Sequence, residues 1–137
     1  SNLLELPVSA ALNRRVPALV ERLYARAPRP YTTKRVLRKL GIVRVQWLRP
    51  SYSSVDDMCA LARRMKADGV PILNLIFHSS EALVGGSPYN TTAHELDQFF
   101  ARLDQVLAFA VNELGAIPVT FSEFRALYLG AQRAPDA

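Results

Sequence analysis

Apolar residues recur along this chain with two periods, and the switches between them mark out its segments. From Ser54 the period is helical. Val55, Met58, Leu61, Ala62 and Met65 form one stripe, Ser54 and Asp57 stand at capping-box spacing, and Asp68-Gly69 supplies the stop. Val70 to His78 is then apolar almost throughout, with Asn74 and the terminal histidine as the polar exceptions, and predicts a buried strand. A glycine-rich stretch from Val84 to Tyr89 follows. Thr92 and Glu95 make a full capping box, opening the strongest helical pattern: Leu96, Phe99, Phe100, Leu103, Leu107, Ala110, Val111 and Leu114, closed by Gly115. Ile117 to Phe121 predicts another strand, and Ser122 the cap of a last helix through Phe124, Leu127 and Tyr128.

The pattern before Ser54 is weaker. Leu3 to Ser9 alternates as a short strand, with Leu4, Leu6 and Val8 on one side. Pro17, Pro28 and Pro30 punctuate the next stretch around one helical turn set, and Thr33 caps a short predicted helix that Gly41 stops. Ile42 to Leu48 alternates weakly and stays open. Helix, strand, helix, strand, helix with short connections predicts an α/β class, mostly parallel strands with flanking helices. Residues 1–130 read as one unit and 131–137 as a flexible tail.

Composition adds limits. At 137 residues, half of them hydrophobic, the chain is globular in character, and no apolar run approaches a membrane span. The opening residues lack a positively charged stretch and a cleavage site, so no signal peptide is expected. Cys59 is the single cysteine, which excludes an internal disulfide and a cysteine-based zinc site. Charge is uneven: Arg14 to Arg49 holds eleven basic residues and one acid, Glu21. Such a block suits an anionic polymer, an acidic glycan or nucleic acid, or else a solvated helical surface. A helix-turn-helix finds no second helix in register, so specific nucleic-acid binding is not expected.

Chemistry concentrates at the strand predicted before the glycine-rich stretch. Period two sets Asn74, Ile76 and His78 on one face and Leu73, Leu75 and Phe77 on the other. A histidine at the C-terminal end of such a strand can act as a general acid or base, or can be structural. His78-Ser79-Ser80-Glu81 has the residue types of a serine hydrolase, but sequence neighbours do not form a triad and no nucleophile elbow is present.

The run Ile72-Leu-Asn-Leu-Ile-Phe-His-Ser-Ser-Glu, then Gly85-Gly-Ser-Pro-Tyr, the long helix, and Ala116-Ile-Pro-Val-Thr-Phe-Ser-Glu-Phe resembles the C-terminal part of NodB-type polysaccharide deacetylases. The opening Leu3-Leu-Glu-Leu-Pro-Val-Ser resembles an upstream strand in a branch associated with surface-polysaccharide and lipopolysaccharide biosynthesis. The resemblance implies an irregular (β/α) barrel, of which this chain would be the C-terminal half, since a full barrel takes ~250 residues. It implies a hydrolase of N-acetyl or O-acetyl groups on a glycan. His78 would protonate the leaving amine, Ile76 would line the acetyl pocket, and Glu5 would be a second catalytic carboxylate or an ion-pair partner. Asn74 and Tyr89 complete the expected substrate-binding set. The family's divalent metal, zinc or cobalt, is held by residues with no counterpart here, so the chain is expected to hold no metal and to be inactive alone. Expected partners are the glycan, the N-terminal half of the same domain, and a second copy. The expected location is the bacterial cytoplasm, with the envelope as the alternative for the parent protein.

Overall fold

The computed structural model describes residues 4–12 and 45–133. The predicted helix at Thr33, the turn set before it and most of the basic block lie outside the described residues. Among the described ones the elements are β1 (Ala10–Leu12), β2 (Val45–Trp47), α1 (Val55–Ala67), a 3-10 turn (Ser79–Ala82), α2 (Ala93–Asn112) and α3 (Phe121–Arg133).

The helices begin where side chains satisfy their first backbone donors. The Ser54 hydroxyl accepts from the Asp57 N–H at 3.2 Å. The Asp57 carboxylate does not reach back to complete a box; it accepts from Gln46 Nε2 at 2.7 Å, tying α1 to β2. At α2 the box is complete: Thr92 Oγ1 accepts from the Glu95 N–H at 3.2 Å and the Glu95 carboxylate accepts from the Thr92 N–H at 3.0 Å. Helix α3 starts at Phe121, not after Ser122, because Thr120 and Glu123 form the same reciprocal pair.

The core is formed where α1 packs on α2 and on β2. Leu48, Met58, Leu61, Ala62 and Val106 are buried, with Leu73, Leu75 and Phe109 packed against them. Along α2 the buried positions are Phe99 and Val106, one heptad apart, while Phe100, Leu107 and Val111 are exposed. The apolar stripe read from the sequence is therefore wider than the face α2 buries. Lys66 Nζ donates to the Leu114 carbonyl at 2.6 Å and fixes the end of α1 beside the end of α2.

The expected fold class is corrected here. Among the described residues the only sheet is two-stranded and antiparallel, pairing Ala10 with Trp47, Ala11 with Gln46 and Leu12 with Val45, and the rest is mainly helical. There are no parallel strands among them and no barrel portion. Residues 72–78 are not the buried strand their pattern predicts: they run as an extended segment without a ladder, half-buried from 72 to 76, exposed at Phe77 and His78, and held by isolated bonds. Ile76 N–H donates to the Leu48 carbonyl at 3.0 Å, and Asn74 N–H donates to the Ser9 side chain, not to its backbone, at 2.7 Å. Pro7 and Pro71 remove further donors from the segments that would have to pair. Residues 4–9 and 117–120 are likewise not strands, and Ile117 is 82% exposed.

Candidate functional site

Residues 49–53, the 3-10 turn after His78 and the loop 83–90 converge on one buried carboxylate. The turn at 49–53 is closed by the Tyr52 and Ser53 N–H groups, both donating to the Arg49 carbonyl at 3.0 Å. Arg102 of α2 donates from Nε to the buried Pro50 carbonyl at 2.9 Å, and the Ser53 hydroxyl donates to Trp47 at 2.8 Å, so this turn is held from both sides. It presents Arg49, Ser51 and Tyr52.

Opposite it, the chain leaves the extended segment at His78 and turns at once. Glu81 N–H donates to the His78 carbonyl at 2.8 Å, and His78 N–H donates to Glu81 Oε1 at 3.3 Å. That reciprocal pair turns the Glu81 carboxylate inward, where the residue is only 1% exposed. Arg49 forms an ion pair with Oε1, and the Ser51 hydroxyl donates to Oε2 at 2.5 Å. Burial pushes the Glu81 pKa up, but the bonds from Ser51, Arg49 and the His78 N–H, with the Arg49 charge, outweigh it and hold the pKa below the ordinary carboxylate value.

The glycine-rich loop closes the third side. Gly85, at a φ of +71° that favours glycine, donates its N–H to the Asn90 carbonyl at 2.8 Å. Gly86 lies so close to the Ser80 carbonyl that a β-carbon would collide with it. Asn90 is fully buried and donates from Nδ2 to the Glu81 carbonyl at 2.5 Å. The loop thereby carries Tyr89 to Tyr52, their hydroxyls 2.5 Å apart and their ring centroids 5.2 Å apart. The Arg49 guanidinium carbon sits 4.5 Å from the Tyr52 ring centroid and 5.9 Å from that of Tyr89. The hydrogen bond to Tyr52 holds the Tyr89 phenol above its ordinary pKa, so it stays neutral through physiological pH. Arg49 Nε and Asn90 Oδ1 are buried and have no hydrogen-bond partner among the described residues.

Of the residues singled out from the sequence, two belong to this cluster. His78 is solvent-exposed at its edge with its backbone locked to Glu81, and Tyr89 is part of the aromatic pair. Asn74 and Ile76 are half-buried in the extended segment. The Asn74 amide donates from Nδ2 to the Pro7 carbonyl at 3.2 Å, tying down residues 7–9. Glu5 is exposed, so its carboxylate carries no burial cost for an ion pair or a function to offset. Arg49, Ser51, Tyr52, Glu81 and Asn90 are the residues sequence reasoning missed. The one local signal was Glu81 standing three residues after His78, the spacing of a reciprocal cap.

Among the described residues no three His, Cys, Asp or Glu side chains are grouped to hold a metal ion, so the residues present do not fit the divalent metal that the deacetylase resemblance implies. His94 is paired with Gln98 on the surface of α2, 3.0 Å between Nε2 atoms. No helix among the described residues is long and apolar enough to cross a membrane. Comparison of the chain with protein-family models, with curated proteins and with solved structures gave no match in any of the three.

Proposed function

We propose that this chain is a portion of a polysaccharide deacetylase that contributes a proton donor, His78, and part of the glycan-binding surface. The observation that carries the reading is the exposed imidazole of His78 leaving an extended segment beside a buried, charge-balanced anchor. A general acid must be open to substrate yet fixed in place, because a misplacement of about 1 Å can cost on the order of a hundredfold in rate. The His78 backbone has that anchorage through Glu81, which is itself held by Arg49 and Ser51. In this role a water oxygen bonds to the acetyl carbonyl carbon, the amide C–N bond breaks, and His78 delivers its proton to the departing nitrogen, leaving acetate and the free amine of the sugar. No step is assigned to a metal, since the described residues do not fit one.

The alternative, a binding module in which the basic block grips an anionic polymer, finds less support in the part of that block that is described. Arg49, which ends the block, has its charge matched by Glu81.

Acetate release from N-acetylglucosamine oligomers by the complete protein tests the proposal. His78→Ala should lower kcat by roughly 10²–10⁴-fold, with KM and melting temperature little changed. Near-normal turnover per folded molecule would refute the assignment to His78. Absence of acetate release by the unaltered protein would refute the activity.

A further inference from the structure

Tyr52 and Tyr89 are 55% and 38% exposed, yet neither is loose. Their hydroxyls are joined, the Tyr52 ring lies against the Arg49 guanidinium, and their backbones are pinned by the 49–53 turn and by Tyr89 N–H donating to Ser87 Oγ at 3.3 Å. An aromatic pair held this way loses little further freedom on binding, and so avoids much of the ordering cost that weakens flexible sites. Its chemistry is mixed, because each ring offers an apolar body and a polar tip. After one hydroxyl has donated to the other, one O–H and several lone pairs remain for a ligand.

That combination complements a pyranose ring, which is apolar on its axial C–H face and polar around its rim. Charge narrows the class. Arg49 stands directly behind the aromatic pair, but its charge is balanced by a carboxylate buried beside it. Phenol rings bring no positive charge of their own, and the Arg49 cation that lies against them is already matched by Glu81, so the pair itself offers an acidic sugar no unmatched charge.

From this geometry we infer that Tyr52 and Tyr89 form a stacking subsite for a neutral sugar ring, with Arg49 and Glu81 as positioning residues that hold the pair in place. The inference rests on the glycan reading above and narrows it: the ring seated here carries no carboxylate or sulfate.

The test is titration of the protein, with its tyrosine rings labelled with carbon-13, by a neutral trimer of β-linked N-acetylglucosamine and, separately, by a trimer of galacturonate. The neutral trimer should shift the ring signals of Tyr52 and Tyr89 in a saturable manner, and the acidic trimer should not. Tyr52→Leu, which keeps bulk without an aromatic face, should weaken binding on the order of tenfold or more. Tyr52→Phe should retain binding to within a few-fold. The shifts in the unaltered protein stand as evidence even where a variant folds poorly. Equal or tighter binding of the acidic trimer, no shift with the neutral one, or unchanged affinity in Tyr52→Leu would each overturn the subsite. Acetate release judges the deacetylase reading separately, so a failed subsite leaves that assay to decide the activity.

Discussion

Replacing Glu81 with Gln keeps the size and most of the shape of the side chain while removing the charge at the centre of the cluster. The carboxylate accepts from Arg49, Ser51 and the His78 N–H, and its residue is 1% exposed. Removing one partner of a buried pair costs about 3–5 kcal/mol, because the other charge is left uncompensated. The Arg49 side chain retains 15% exposure and its contact with Tyr52, which argues for the lower end, about 3 kcal/mol. At roughly 4 °C per kcal/mol for a chain of this size, the melting temperature should fall by about 12 °C at pH 7. The pH dependence gives a second check. Glu81 has a folded pKa below its unfolded value of about 4.3, so its stabilisation is complete above that value and disappears as pH falls through the folded one. The gap between the unaltered protein and Glu81→Gln should therefore be widest at neutral pH and close in acid. Replacing both partners, Arg49→Met with Glu81→Leu, should recover much of the loss, since no charge is then stranded. Thermal denaturation followed by circular dichroism from pH 7 to pH 3 measures all of this. A loss under about 1 kcal/mol at pH 7, or a gap that does not change with pH, would refute the buried-anchor argument.

Three further outcomes test the local geometry. Gly86→Ala should destabilise by about 1–3 kcal/mol, because the new β-carbon meets the Ser80 backbone carbonyl, which cannot swing away as a side chain would. Gly130→Ala meets nothing and lies inside α3, so it should stabilise by roughly 0.5–1 kcal/mol; urea denaturation separates the two signs. Thr92→Ala removes the hydroxyl that accepts from the Glu95 N–H and should cost about 1 kcal/mol. The loss should show first as faster amide exchange in the first turn of α2.

Helices were legible in this sequence because their signals are local. Ser54, Thr92 and the glycines after α1 and α2 mark boundaries by chemistry that acts within four residues, and α1 and α2 begin where those marks lie. Helix α3 was misplaced by the same kind of reasoning, since Thr120 with Glu123 is a complete reciprocal pair and Ser122 is not. The strands failed for a different reason. Alternation over Val70 to His78 predicts a buried strand, and the structure has no strand there. Membership of a sheet depends on which distant segment offers donors and acceptors in register, and Ser9 meets Asn74 unevenly: its N–H donates to the Asn74 carbonyl at 3.4 Å, but its side chain, not its carbonyl, accepts from the Asn74 N–H. The expectation of parallel strands thus rested on pairing, which a period-two pattern does not encode.

The candidate site divides along the same line. His78 and Tyr89 could be singled out from a strand end and a glycine-rich loop, both visible in a window of a few residues. The residue on which the cluster turns could not. Glu81 reads as one more surface acid after two serines, and its burial depends on Arg49, thirty-two residues earlier in the chain. Arg49 itself was masked by the ten basic residues that precede it from Arg14, among which nothing marked it as the one to be paired. A buried acid is tolerated only where a fixed cation meets it, and such a pair is weak evidence for stability, since apolar replacements often do as well. Among the described residues Arg49 Nε and Asn90 Oδ1 have no hydrogen-bond partner in this cluster. Its arrangement makes more sense as a means of fixing what it carries at the surface: an imidazole on one side and a pair of phenol rings on the other.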